Sequence, residues 1–300
     1  MPATGPTVEE ALRAYDASLQ IRERREGAAR KHSQEVLSAL KKAGLAVLEA
    51  RTIGSYTRHT LIPPLEAGDV DLMMVLNARE HRTWDNAEGA ASALRKCEAI
   101  LARQFPRLRV ELARNAATVI FPEFRLDVIP AFAWHSGGFL IPDADGPMWL
   151  HSDPEGFAER LTELNNRHNG LIAPVIRMVK AWNREADSLL EGFHIECLVY
   201  RHFSGAAYSR RWVNSFAQGL HEFFAALPSL LSARCAEPVY DEQVDRYLDS
   251  SHLRHGREQA VDMASDAAEL AGGAHQQQED GLERVAVATW RQLFGKGFPA

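Results

Sequence analysis

The sequence predicts an α+β protein of two lobes, a sheet-bearing N-terminal lobe over residues 1–152 and a helical lobe over residues 153–300. Short apolar runs of strand length, bounded by Pro, Gly and polar turns, are confined to the first lobe. From Asp153 onward apolar residues recur at helical spacing instead. With 300 residues and 46% hydrophobic content, the chain can bury a core large enough for two lobes. A ligand site is expected in the cleft between them.

Thr7, with Glu10 three residues later, makes a capping box that opens a helix continuing through ALRAYDASLQIRERREGAARKH. A second helix, SQEVLSALKKAGLAVLEA, carries a stripe at Val36, Leu37, Leu40, Leu45 and Leu48. The chain then runs extended towards Gly54-Ser55, and Pro63-Pro64 predicts an irregular segment. Leu72 to Leu76 reads as a buried strand, His81 to Asp85 as a loop and Asn86 to Gln104 as an amphipathic helix. LRVELA, ATVIF and FRLDVIPAFA are three strands of a mostly antiparallel or mixed sheet. Turns at Gly137-Gly138 and Pro142 to Pro147 flank an edge strand, GFLIP. The helices expected beyond are Pro154–Asn166, Leu171–Asp187, Phe193–Phe203, Arg211–Ala226, Val239–Leu248, Leu253–Gly272 and Leu282–Phe294. Ala271 to Gly281 is expected as an exposed polar break. Trp182, Trp212 and Trp290 sit at apolar helical positions and are expected in the core.

A formal net charge of -6, from plentiful and mixed charges, argues against coating nucleic acid or anionic membrane by bulk charge. Cys97, Cys197 and Cys235 are isolated and odd in number, so neither a disulfide framework nor a zinc site is expected. No apolar signal core opens the sequence and no run reaches the length of a membrane span, so a cytoplasmic protein is expected. Walker A and Rossmann glycine patterns are absent, which disfavours an ATPase or a dinucleotide-dependent redox enzyme. His135, His151 and His194 stand at no metal-ligand spacing and are expected as surface or packed residues.

The chemistry gathers between Gly54 and Leu76. Asp69 and Asp71 lead into the apolar strand and, being two apart, project to one face with Val70 turned away. Asp127 lies in another apolar strand, between Leu126 and Val128. Three carboxylates at the margin of an apolar sheet are costly unless a cation compensates them. Hard divalent ions suit such oxygens: Mg²⁺, or Mn²⁺, as two ions that activate an attacking hydroxyl and neutralise a leaving pyrophosphate. Asp69 and Asp71 would bridge both ions and Asp127 would hold the one next to the attacking hydroxyl. Gly54 permits close backbone approach, and Ser55 offers a hydroxyl and an N–H to phosphate oxygens. A lone DxD or Gly-Ser pair more often marks an ordinary turn; their order and proximity give them weight.

Taken together, TIGSYTRHTLIPPLEAGDVDLMM, RLDVIPAF, VIRMVKAWNR, GFHIECLVYR and WRQLFGKGFP resemble the polymerase β-type nucleotidyltransferases. Within these the likeness is to the bacterial cGAS/DncV-like enzymes of anti-phage CBASS systems. The resemblance runs from about Ile53 to the C-terminus. It implies a bilobed polymerase β-like nucleotidyltransferase core with a helical C-terminal lobe, joining NTPs, ATP among them, into a cyclic di- or trinucleotide that reaches a downstream effector. It also implies that Gly54 and Ser55 contact the triphosphate, that Asp69, Asp71 and Asp127 are catalytic and carry metal, and that Lys180 neutralises triphosphate charge. Arg58 and Thr60, in the intervening loop, become nucleotide contacts. Some relatives need a HORMA-type activator protein, while others are active alone. Glu191 and Gly192 depart from the family, where many members carry Lys or Ser before the block that reads FHIE here. The bland alternatives are an exposed helix lysine for Lys180 and a structural role for Glu196. At the level of function they are a template-independent transferase acting on RNA ends or a small molecule, or a non-catalytic module that senses nucleotide or RNA.

Overall fold

A computed structural model of the chain describes residues 5–21, 23–64, 68–84, 86, 88–143, 148–250, 253 and 255–299, with backbone alone at 23–26. The contacts form two compact units, Ile21–Ala158, and Met1–Gln20 together with Glu159–Ala300. This is not the linear division at residue 152: the first helix, α1 (Val8–Ser18), belongs with the C-terminal helices.

The sheet unit begins with α2 (Glu23–Lys42), β1 (Val47–Ile53) and the single turn α3 (Gly54–Thr57). It continues through β2 (Asp69–Leu76), α4 (Gly89–Gln104), β3 (Arg109–Leu112), β4 (Ala117–Ile120) and β5 (Arg125–Ala133). Strands β6 (Phe139–Asp143) and β7 (Met148–Ser152) follow. The strand order is β1-β2-β5-β4-β3, with β2 and β5 parallel and the other pairs antiparallel. The sheet is therefore mixed. On one face Val70, Leu72, Met74, Leu126 and Val128 pack with Val36 and Leu40 of α2 and Cys97 and Leu101 of α4. On the other, Ile53, Met73, Val75, Ile129, Ala131 and Phe139 form a smaller core. Burial on both faces explains why β2 reads as a continuous apolar run.

The helical unit comprises α1, α5 (Pro154–Arg167, which starts in the sheet unit), α6 (Ile172–Glu185), α7 (Gly192–Ser204), α8 (Phe216–Leu231), α9 (Gly256–Glu279) and α10 (Glu283–Phe294). Two polar links fix α1 there. Arg177 donates to Asp16 from Nε and Nη2 at 2.8 and 2.9 Å, with both residues buried. The Glu9 carboxylate accepts the N–H groups of Phe216 and Ala217 at 3.0 and 2.8 Å, capping α8 with negative charge.

Several expected elements differ. The long first helix is two helices, α1 and α2, that belong to different units. Residues 239–245 are turns rather than helix, since the Glu237 side chain takes the N–H groups of Val239 and Tyr240, and only Arg246–Asp249 forms a 3₁₀ turn. The expected break at Ala271 is helical: α9 continues to Glu279 because Ala271 and Ala274 are fully buried and outweigh the low helix propensity of Gly272 and Gly273. Ser215 caps α8 through the Gln218 N–H, so Trp212 lies before the helix and is 52% exposed, while Trp182 and Trp290 are core. GFLIP is not an edge, because β7 pairs outside it. Asp85 and residues 144–147, expected as loop and turn, lie outside the described residues. All three cysteines are free and buried, and among the described residues no helix is long and apolar enough to cross a membrane.

Candidate active site

Parallel pairing of β2 with β5 sets Asp71 opposite Asp127 and Asp69 opposite Arg125. The neighbouring strands extend the register: Ile53 faces Asp71, Thr118 faces Asp127 and Glu111 faces Thr118. Strand alternation therefore puts Asp71, Asp127, Thr118 and Glu111 in one row on one face, with Asp69 and Arg125 in the row beside it. Val70, Leu126 and Val128 are buried on the opposite side. The carboxylates stand where the smaller apolar core ends.

Gly54 follows β1 directly and lies against this row. Its φ is +80°, and a Cβ there would lie 1.8 Å from the Asp71 Oδ2. Glycine is required on both counts. The Ser55 carbonyl accepts the N–H groups of Thr60 and Leu61 at 2.9 and 3.1 Å and the Thr60 hydroxyl at 3.4 Å. Thr57 Oγ1 donates to the Gly54 carbonyl at 3.0 Å. Thr60 is wholly buried, so its hydroxyl serves the turn. The Arg58 guanidinium sits 5.1 Å above the Phe157 ring centre.

The face is over-supplied with negative charge. Arg125 Nε donates to Asp69 Oδ1 at 2.8 Å while its Nη2 reaches Glu111 Oε1 at 3.0 Å. Arg109 holds the other Glu111 oxygen at 2.7 Å. Thr118 Oγ1 donates to Asp127 Oδ1 at 2.6 Å. Burial, with the Asp69 charge second, pushes the Asp127 carboxyl up to about 6 despite the Thr118 hydrogen bond. Burial also raises Asp69, against the pull of Arg125. Desolvated carboxylates that resist ionisation are the donor chemistry a hard divalent cation stabilises. Among the described residues, however, no three His, Cys, Asp or Glu side chains converge closely enough to enclose an ion. Asp69 is held by Arg125, and its charge still bears on Asp127.

Gly54, Ser55, Asp69, Asp71 and Asp127 are thus brought together, with Arg58 and Thr60 in the adjoining turn. Lys180 belongs to the other unit, on α6. It is 9% exposed, and its ammonium is 2.6 Å from a carboxylate oxygen of the wholly buried Glu196 on α7. Sequence reasoning missed Thr118, Glu111 and Arg125. Arg125 stands two residues before Asp127, so the alternation that grouped Asp69 with Asp71 would have put it on the same face. Thr118 and Glu111 reach that face only through cross-strand register.

The profile of the Second Messenger Oligonucleotide or Dinucleotide Synthetase domain matches residues 7–165, just over half of the chain. The "probable cyclic nucleotide synthase" of Bacillus cereus (strain VD146) is 25% identical, with 82% of this chain and 81% of that protein covered. The cyclic AMP-AMP-AMP synthase of Acinetobacter sp. (strain ATCC 27244 / 9458) is 27% identical, with 82% and 71% covered. Among solved structures, the E. coli MS115-1 CdnC:HORMA-deltaN complex matches with a TM-score of 0.69 at 14% identity, over 97% of this chain and 98% of that one. Vibrio cholerae DncV, a cyclic AMP-GMP synthase and prokaryotic cGAS homologue, matches with a TM-score of 0.65 at 13% identity, over 98% of each chain. The two structures show the fold, and the matched profile shows the family: the chain belongs to the Second Messenger Oligonucleotide or Dinucleotide Synthetases, the cGAS/DncV-like nucleotidyltransferases that make cyclic oligonucleotides.

Proposed function

We propose that this chain joins NTPs, ATP among them, into a cyclic di- or trinucleotide second messenger with release of pyrophosphate, in a CBASS-type anti-phage response. The observation that carries the reading is the pairing of Asp71 with Asp127 across parallel strands, on the face that Asp69 shares and Gly54 adjoins. Two Mg²⁺ or Mn²⁺ ions held by Asp69, Asp71 and Asp127 would supply charge for the triphosphate and lower the pKa of an attacking ribose hydroxyl. Gly54 lets the triphosphate approach the backbone, and Ser55 offers its hydroxyl and N–H to phosphate oxygens. Thr60 acts through the turn, by fixing the Ser55 carbonyl. Arg58 and Lys180 are the remaining nucleotide contacts, Lys180 sharing its charge with Glu196. The cyclic product acts on a downstream effector in the cytoplasm. The E. coli CdnC match is a complex with a HORMA protein, which supports a HORMA-type protein as one candidate partner, synthesis by the chain alone being the other case.

Purified chain given mixed NTPs with Mg²⁺ or Mn²⁺ should form phosphatase- and nuclease-resistant products, resolved by mass spectrometry. Substituting Asp69→Asn together with Asp71→Asn should cost at least about 10³-fold in rate, the several kcal/mol that metal stabilisation contributes, with the circular dichroism spectrum unchanged. Intact synthesis by the double variant would refute the metal mechanism. A product consisting of an extended acceptor would refute cyclisation.

A further inference from the structure

We infer that Thr118 is a positioning residue for Asp127: its hydroxyl fixes the carboxylate in one orientation and leaves the negative charge available to the reaction. The inference rests on the reading of Asp127 as the carboxylate beside the attacking hydroxyl. Thr118 and Asp127 are cross-strand partners on β4 and β5, and Thr118 Oγ1 donates to Asp127 Oδ1 at 2.6 Å. On its other side Thr118 pairs with Glu111 of β3, a second carboxylate. Both Glu111 oxygens are already held, Oε1 by Arg125 at 3.0 Å and Oε2 by Arg109 at 2.7 Å. The hydroxyl therefore serves Asp127.

The residue type at this position is informative. Thr118 is wholly buried, as are its apolar neighbours Ala117 and Val119 in the same strand. A valine has nearly the same shape, and a buried hydroxyl is costly without an acceptor. Branching at Cβ stiffens χ1, so the strand itself aims the hydroxyl at Asp127. Three carboxylates of this face are answered differently. Arginines hold Asp69 and Glu111, whereas Asp127 has a neutral donor. A guanidinium would offset the charge of the carboxylate it orients, while a hydroxyl orients it and leaves the charge in place. Burial works against the charged form of Asp127, and Thr118 is the foremost group working for it, ahead of Arg125.

The test sets the hydroxyl against the methyl in the full chain. Thr118→Val keeps the shape and removes the donor, and Thr118→Ser keeps the donor and removes the methyl. The first readout needs no turnover. In alkaline, metal-free buffer, three-bond NMR couplings from the Asp127 carboxyl carbon to its backbone nitrogen and carbonyl carbon report its χ1. The unaltered chain and Thr118→Ser should show a single staggered rotamer, and Thr118→Val an average over rotamers. The second readout is steady-state synthesis from NTPs with Mg²⁺. Thr118→Val should lower kcat by about 10- to 100-fold, the cost of losing the partner behind a ligating carboxylate, with KM for NTP changed by less than about threefold. Thr118→Ser should keep kcat within about threefold of the unaltered chain. A single Asp127 rotamer in a folded Thr118→Val chain overturns the inference. A loss of kcat in Thr118→Ser as large as in Thr118→Val overturns it too, because the role would then be one of packing. Should the Thr118→Val chain not fold, Thr118→Ala gives the same contrast, since it shares the lost methyl of Thr118→Ser and lacks its hydroxyl. Failure of the underlying reading looks different: Asp127→Asn would synthesise at the unaltered rate, whatever the couplings show for Thr118.

Discussion

In the helical unit, Asp16 meets Arg177 and Lys180 meets Glu196, each cation against a carboxylate with both groups largely out of water. On the carboxylate-bearing face of the sheet unit, Arg125 stands among Asp69, Glu111 and Asp127, with Arg109 on the other Glu111 oxygen. The first arrangement is balanced, and its natural work is holding helices together. The second leaves the Asp127 and Asp69 carboxyls raised by burial, a cost that an added cation or a proton relieves. Charge balance, more than burial, separates what holds this protein together from what works in it. Lys180 lies on the balanced side, so a triphosphate role for it requires Glu196 to share its ammonium.

The largest expected effect on stability is at a balanced pair. Arg177→Met leaves Asp16 buried without its cation, which should destabilise the helical unit by about 3–5 kcal/mol. Denaturant unfolding followed by tryptophan fluorescence measures this, since Trp182 and Trp290 are both core residues of that unit. A loss below about 1 kcal/mol would mean that the pair is not what fastens α1.

Gly54→Ala probes the other side with a smaller structural cost. The φ of +80° and the 1.8 Å approach to Asp71 Oδ2 force either the turn or the carboxylate to move. The backbone strain amounts to about 1–3 kcal/mol. Activity should fall well beyond what that loss of stability explains, because the displaced group is Asp71. A variant that melts lower but turns over normally would separate the turn from the site.

Much of this was legible in the chain because it is local. Alternation put Asp69 and Asp71 on one face, and the apolar neighbours of Asp127 marked it as a strand residue. What was not legible depends on distant partners. The membership of α1 rests on Asp16 and Arg177, which are 161 residues apart. The company kept by Thr118 and Glu111 depends on strand register, and the helical state of Gly272 and Gly273 on packing that propensity does not contain. The side chain of Ser215 caps α8 and leaves Trp212 before the helix, whereas apolar spacing alone places it inside.

The smallest effect is also the sharpest contrast, because acid should move the two units in opposite directions. Asp127 is raised to about 6 by burial, with Asp69 adding and Thr118 and Arg125 opposing. Its contribution to stability is present below its ordinary value of 3.8 and is lost as pH rises through about 6. His194 and His202 are each lowered to about 4 by burial, with Asp245 opposing and Arg257 adding at the first and Arg211 adding at the second. Their contribution is present above the ordinary 6.5 and is lost as pH falls through about 4. Between pH 6.5 and 4, metal-free amides of β2, β4 and β5 around Asp127 should therefore gain protection, against the opposing loss at His81, which burial lowers. Helical-unit amides should lose it, each change being on the order of 1–3 kcal/mol. Hydrogen exchange on the intact chain, corrected for the intrinsic pH dependence of exchange, reads both units at once. Asp127→Asn should remove most of the gain in the sheet, Asp69 keeping a smaller share, while leaving the helical loss untouched, since Asn keeps an oxygen for the Thr118 hydroxyl but has no charge to shed. Parallel movement of both units would mean that the imbalance on the sheet face is already neutralised within the chain, and the contrast between the two kinds of charge would not hold.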